Sequence, residues 1–414
     1  MTSTVYIAKN VYGGDGLGRL GDGRVVFVPG AWAGENVKAE IVEERRRFVK
    51  ARLVEVVEAS PERVEHGVLA CVPGCVYAGL SAKGEAAAKE SQLRDFLERA
   101  RIPFGSLKAA GPAGCLNYRN KVVYHFARTG EKWKIGYRTA DGKDVVDIPC
   151  DPLAVQQIND KLPEIRRSVL SLLTQGSESV RRGIAQKGTV TIRWTASNGV
   201  KWWVGDPPAS LTLREKTCGR DFEVPAGGFY QVNPAVGDAL VKAVVDEYVA
   251  GDAADVVDLY CGVGVFGLCC MGARGVKAGE DQPRLTGIES GRQSVEFAKK
   301  NAAAQRVTAH FFADTAARSM KKLRIGPRTT VIVDPPRGGM EPGVAKALAV
   351  SQAARILCVS CDPATLTRDL RELSSGYDVE SVRWFDMFPR TARFETLVVL
   401  RKKNQSAVES EKVV

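Results

Sequence analysis

No stretch of this chain approaches the roughly 18 uncharged apolar residues that a membrane-spanning helix requires, and the first ten residues, MTSTVYIAKN, lack the apolar core of an export signal. Neither membrane insertion nor export is thereby indicated, and a cytoplasmic protein is expected. Acidic residues are in deficit as well: 48 Asp and Glu stand against 59 Lys and Arg, a net charge of +11. A balance of that sign favours a polyanionic partner, because phosphates attract Lys and Arg whatever sequence they carry. Ten cysteines in a reducing compartment mean chemistry, metal binding or packing, not disulfides. With 414 residues, 44% of them hydrophobic, the chain has material for two to four domains.

Residues 1–58 carry short β-rich runs (VYIAKNVY, RVVFVPG, ENVKAEIVEE, FVKARLVEVVEA) parted by Gly-rich turns such as GGDGLGRLGDG. That spacing predicts a small closed barrel of the oligonucleotide-binding kind. Arg45, Arg46 and Arg47 beside Phe48 offer it charge and an aromatic face for single-stranded nucleic acid. A central α+β segment, 59–221, holds several cysteines, an amphipathic helix over 84–102 suited to pack on the last domain, and strands and hairpins. Trp133, Tyr137, Trp194, Trp202 and Trp203 alternate there with Lys and Arg, a pattern that fits RNA contact or an amphipathic sheet. Residues 222–404 alternate apolar strands with helical stretches, which predicts a doubly wound parallel α/β sheet. Its strands fall at 255–260, 285–289, 308–314, 330–334, 355–360, 379–386 and 395–402, the last two an antiparallel hairpin at one edge. The polar tail, 405–414, is expected to be disordered.

The chemistry concentrates in this last domain. Its first strand runs into DLYCGVGVFG, where Gly262, Gly264 and Gly267 meet the GxGxxG spacing, letting the backbone turn tightly beside a ligand. A nicotinamide dinucleotide and S-adenosylmethionine fit it equally. Glu289 ends the second strand, where its carboxylate suits the ribose hydroxyls of either. The fourth strand ends in VDPPRGG; the Asp334 carboxylate and the rigid carbonyls beside it suit the polar edge of a planar base, which hydride transfer does not need. Methyl transfer to a nucleobase is therefore the reading. Ligands of such sheets lie outside the carboxyl ends of the strands, where Tyr260, Glu289, Asp314, Asp334 and Cys361 all fall.

In RILCVSCDPATLTRDL, Cys361 stands between a strand and a helix capped by Asp362 with Pro363 at its first position. The electropositive helix end lowers a thiol's pKa; Asp362 offsets part of that, and Arg368 can restore it. A buried small hydrophobe is the bland alternative, better suited to Cys358. Thiolate addition at C6 of uracil makes C5 nucleophilic enough to take a methyl group, and a base must then remove the C5 proton. Glu395, opening the last strand, is the candidate base, against the simpler reading of an edge-strand surface charge.

Together these residues resemble the class I RNA 5-methyluridine methyltransferases, in the branch that bears an N-terminal TRAM barrel. The resemblance rests on GDGLGRLGDGRVVFVPGAWAGE, YRNK, GGFYQVN, DLYCGVGVFGL, VDPPRGG, SCDPATLTRD and DMFPRTARFET. It implies a seven-stranded methyltransferase sheet, with Cys361 as nucleophile and Glu395 as base. Gln231, Tyr260, Val265, Glu289 and Asp334 are implied as contacts to S-adenosylmethionine or the target base; Gly262 and Gly264 join the cofactor set on their glycine spacing, and Asp314 is added from the general fold. A [4Fe-4S] cluster is also implied, with Cys71, Cys75 and Cys150 matching three ligands; the fourth is missing, leaving His66 or the remoter Cys115. Where the family tends to have His two residues before the catalytic Glu, this chain has Arg393, which would hold Glu395 ionised if close. The expected partner is RNA, ribosomal in preference to transfer RNA, and the expected state a monomer. An exocyclic-amine methyltransferase and a non-catalytic RNA-binding factor are the alternatives.

Overall fold

A computed structural model describes residues 2–112, 116–175, 187–251, 253–274 and 283–403; the tail expected over 405–414 lies outside the described residues. Strands β1 (Thr2–Asn10), β2 (Gly16–Arg19), β3 (Val25–Val28), β4 (Asn36–Glu44) and β5 (Phe48–Glu58) close into a barrel in the order β1-β2-β3-β5-β4. Period-two alternation turns Val5, Ile7, Val26, Val28, Val37, Ala39, Val49 and Ala51 inward. Gly18 allows β2 to press on β1, since a Cβ there would stand 2.4 Å from Val5 Cγ1. The barrel's exit is fixed by the fully buried Glu35, whose carboxylate takes two hydrogen bonds, of 2.6 and 2.7 Å, from Arg63.

Helix α1 runs Ala82–Arg99, starting earlier than its pattern suggests because the Ser81 side chain caps it, accepting from the Gly84 amide. It ends before Arg101, which takes a left-handed φ of 55°. The next strand, β6 (Leu107–Ala110), leaves the central segment altogether and pairs with the C-terminal sheet. Strands β7 (Lys121–Thr129), β8 (Lys132–Arg138) and β9 (Val145–Asp147) are followed by helix α2 (Gln156–Gln175), then β10 (Lys187–Thr195) and β11 (Gly199–Val204). These strands form one sheet, β11-β10-β7-β8-β9, with α2 on its face. Sequence reading gave only strands and hairpins here: Pro163 inside α2 hides a helix whose Ile158, Leu162, Ile165 and Val169 recur at helical spacing and are buried. The aromatic alternation proves to be core: Trp133, Tyr137, Trp194 and Trp202 pack against this cluster, and Trp203 is buried. A two-stranded ribbon, β12 (Thr212–Thr217) and β13 (Arg220–Pro225), leads onward.

The C-terminal unit comprises α3 (Pro234–Val249), β14 (Asp255–Leu259), α4 (Val265–Ala273), β15 (Leu285–Glu289), α5 (Arg292–Ala304), β16 (Ala309–Ala313), α6 (Ala316–Ser319), β17 (Thr329–Val333), α7 (Val344–Ala349), β18 (Arg355–Ser360), α8 (Pro363–Leu373), β19 (Tyr377–Phe385) and β20 (Glu395–Lys402). The sheet order is β16-β15-β14-β17-β18-β20-β19-β6: the seven expected strands, with β6 added beyond β19. Strands β14 to β18 run parallel, and β20 is antiparallel to both neighbours. Apolar cores cover both faces, so β17 is buried at every residue. Leu93 and Leu97 of α1 join one of these cores. The chain reverses its direction of winding between β14 and β17, which sets the ligand crevice there. Among the described residues no helix is long and apolar enough to cross a membrane.

Candidate active site

Tyr260, Glu289, Asp314, Asp334 and Cys361 end or follow parallel strands at one end of the sheet, and Glu395 opens antiparallel β20 at that same end. Beyond β14, Tyr260 (φ 63°), Gly262 (54°) and Gly264 (88°) take left-handed conformations, a strained turn that brings backbone amides to the crevice. Tyr260 is locked by its hydroxyl, which accepts from the Glu341 amide at 3.1 Å. Glu289 is oriented by the amides of Gly262 (3.2 Å) and Gly291 (2.6 Å). Its carboxylate is thereby fixed at the carboxyl end of β15, facing the cleft.

Gln231, Tyr260, Gly262, Glu289, Asp334, Cys361 and Glu395 line one cleft of about 510 Å³. Val265 lines a smaller recess of about 70 Å³ that shares Gln231, Tyr260 and Asp334 with it, and Gly264 caps α4 between them. Asp314 does not line the cleft; its carboxylate is taken by the Thr315 amide (2.9 Å) and by Arg318, while its amide donates to the Glu289 carbonyl. Sequence reading overlooked Arg337 and Phe388, which line the cleft, and Phe229, which lines it with 71% of its surface exposed. Arg337 and Phe229 stand inside the quoted motifs VDPPRGG and GGFYQVN, where a cation after a carboxylate and an unpaired aromatic were available signals.

The electrostatics differ from expectation in three respects. Burial first, then Glu395 and Asp334, pushes the Cys361 thiol up to about 11, with Arg337 acting the other way. The helix end cannot lower it, because Asp362 itself takes the Ala364 and Thr365 amides. Arg368 does not help either; it is paired with Asp369 at 2.7 Å. Arg393 bonds Asp362 at 3.0 Å and the Tyr12 hydroxyl at 2.8 Å, so Arg337, not Arg393, is the cation that steadies the charge of Glu395. Glu395 is no edge charge: β20 is an interior strand, the residue is 5% exposed, and burial followed by Asp334 holds its carboxyl well above the ordinary range. Burial likewise lifts Asp334 to about 7.

Of the donor set expected for an iron–sulfur cluster, only Cys75, Cys150 and His66 have described side chains. Cys75 packs among Leu69, Val72, Ala78, Tyr118 and Leu153, and burial pushes its thiol up to about 11. His66 shares a shallow depression with it, while Cys150 is exposed. Cys115 and the side chain of Cys71 lie outside the described residues. Among the described residues no three His, Cys, Asp or Glu side chains come together as metal ligands.

The profile of the tRNA (uracil-5-)-methyltransferase family matches residues 210–403, and that of the TRAM domain matches 2–54. An uncharacterized RNA methyltransferase of Streptomyces avermitilis is 31% identical, the alignment covering 96% of this chain and 97% of that protein. One from Thermotoga maritima is 26% identical over 97% of this chain and 99% of its own. The crystal structure of the Pyrococcus abyssi tRNA (uracil-54, C5)-methyltransferase in complex with S-adenosyl-L-homocysteine shares the fold, with a TM-score of 0.71 at 21% identity, covering 96% of this chain and all of that one. Fold and profiles together define an S-adenosylmethionine-dependent methyltransferase acting on RNA. The chain belongs to the RNA uracil-C5 methyltransferase family, in its TRAM-bearing branch.

Proposed function

We propose that the enzyme converts a uridine in structured RNA to 5-methyluridine through a transient bond from Cys361 Sγ to C6 of the base. S-adenosylmethionine, when bound, supplies an electrophilic methyl group; Glu289, Gln231, Tyr260, Val265 and the Gly262–Gly264 turn are the residues suited to hold it. The target base must leave its stack to expose either face of C5=C6, and the exposed Phe229 ring offers a surface on which it can rest. Cys361 as thiolate adds to C6, C5 gains the methyl group, and Glu395 then accepts the C5 proton so that the sulfur departs as the leaving group. Burial and neighbouring carboxylates raise both groups, so each must reach its charged form before its step: the Cys361 thiol and the Glu395 carboxyl release their protons to solvent, and Arg337 is the cation placed to favour the thiolate and the carboxylate.

The observation that carries this reading is the convergence of Cys361, Glu395 and Asp334 in one cleft with Glu289. A Cys361→Ala protein should bind RNA yet form no covalent adduct with 5-fluorouridine-substituted RNA; an undiminished adduct identifies another nucleophile. Full methylation by that variant would instead select exocyclic-amine chemistry, which needs no thiol. The preference for ribosomal RNA leaned on the barrel and the cysteines. The described cysteines supply no ligand set, and the Pyrococcus abyssi neighbour is a transfer-RNA enzyme, so mapping 5-methyluridine in both RNA classes, with and without the protein, decides the substrate.

A further inference from the structure

One barrel residue touches the chain neighbours of both groups assigned to the chemistry. Tyr12 lies in the turn after β1. Its hydroxyl accepts from Arg393 at 2.8 Å and donates to Asp362 at 3.4 Å, and Arg393 and Asp362 are themselves 3.0 Å apart. The guanidinium of Arg393 stands 5.5 Å from the Tyr12 ring centroid. The ring meets Phe394 edge-on at 6.1 Å and Phe96 of α1 at 5.7 Å. Asp362 follows Cys361 and Phe394 precedes Glu395. The barrel is held in this place by Gln92, which donates to the Asn10 carbonyl at 3.3 Å, and by a Lys9–Asp95 ion pair.

We propose that Tyr12 is a positioning residue for methyl transfer: it clamps the Asp362–Arg393 pair, so the barrel forms part of the framework that presents Cys361 and Glu395, in addition to any grip on RNA. The proposal rests on the assignment of Cys361 as nucleophile. Asp362 is an anion beside the thiol, and it joins Glu395 and Asp334 in opposing thiolate formation while Arg337 favours it. Arg393 offsets the Asp362 charge only while its half-exposed side chain is held in register, and the Tyr12 hydroxyl and ring provide that hold. A hydrogen bond to a charged group is among the stronger ones a side chain makes.

Tyr12→Phe removes the hydroxyl and keeps the ring packing. With unmodified RNA from cells lacking the enzyme and radiolabelled S-adenosylmethionine, its single-turnover methylation rate should fall roughly tenfold or more. RNA affinity by filter binding should stay at the wild-type value, the melting temperature should drop by no more than a few degrees with the protein fully folded at assay temperature, and iodoacetamide labelling of Cys361, read by peptide mass spectrometry, should slow at each pH. A wild-type rate with a wild-type labelling profile overturns the proposal, as does a loss confined to RNA affinity or to stability. Tyr12→Leu, which also removes the ring, should lower the rate further; a rate equal to wild type refutes the clamp. Cys361→Ala is run beside them with 5-fluorouridine-substituted RNA. Loss of its adduct together with a wild-type Tyr12→Phe rate defeats the clamp alone, whereas a persisting adduct defeats the nucleophile assignment and the clamp with it.

Discussion

Arg193 and Glu215 form a charge pair sealed from solvent, with Nη2 and Oε1 2.7 Å apart. Arg193 also donates to the carbonyls of Ala226 (3.4 Å) and Gly228 (3.3 Å), tying the central sheet to the segment that carries Phe229 and Gln231 into the cleft. Removing one partner of a buried pair strands the other's charge, at about 3–5 kcal/mol. Arg193→Met should therefore lower the denaturant midpoint markedly, and Arg193→Met with Glu215→Leu should recover much of the loss. An Arg193→Met protein that unfolds like the wild type would show that the pair contributes little.

Local signals explain what could be read in advance. The glycine turn at 262–264, the Asp-Pro-Pro after β17 and the cap at Asp362 each announce themselves within a few residues, and alternating apolar runs announce the parallel sheet. What stayed hidden depends on distant partners. The environment of Cys361 is set by Asp334, Arg337 and Glu395 from other segments, so a rule about helix ends gave the wrong sign for its thiol. The pairing of β6 with β19 and the docking of Tyr12 leave no mark on local periodicity. Asp314 sits at a strand end as expected, but Arg318 one helical turn on draws its carboxylate away from the cleft.

Glu395→Gln removes the proposed proton acceptor while leaving its shape. Positioned general bases contribute about 10²–10⁴-fold, so turnover should fall by that order while addition and methyl transfer still occur. A covalent enzyme–RNA species should then accumulate with unsubstituted RNA, visible as a slow band under denaturing electrophoresis. Fast turnover with no trapped species would assign proton removal elsewhere.

The pH response of Cys361 follows from its raised pKa of about 11. A thiol raised this far is protonated at neutral pH, and its reactive thiolate grows as pH climbs toward that value. Iodoacetamide labelling of Cys361 in the free enzyme should be slow at pH 7 and accelerate about tenfold per pH unit up to roughly pH 9, since the thiolate fraction rises by that factor below the pKa. A plateau between pH 7 and 8 would mean that the thiol is already ionised and that the two carboxylates do not govern it.

Lys89 is buried in α1 and lies 2.6 Å from both Glu85 and Asp386, and it donates to the Phe388 carbonyl at 3.4 Å. Glu85 in turn accepts from the Arg390 amide at 2.7 Å. The network pins the loop that brings Phe388 and Arg393 to the cleft. Lys89→Met leaves the buried Glu85 and the partly buried Asp386 facing each other with Arg390, 3.5 Å from Glu85, as the nearby cation left to them, a cost of up to about 3–5 kcal/mol while both are charged. Burial already raises both carboxyl pKa values with Lys89 present, and losing the cation raises them further. A carboxyl with a raised folded-state pKa is penalised when charged, so the penalty is fully present at alkaline pH and is relieved as pH falls through that pKa. The melting-temperature gap between wild type and Lys89→Met should accordingly be wide at pH 8 and narrow at pH 5.5. A gap that stays constant, or widens in acid, would show that lost packing, not stranded charge, governs the loop.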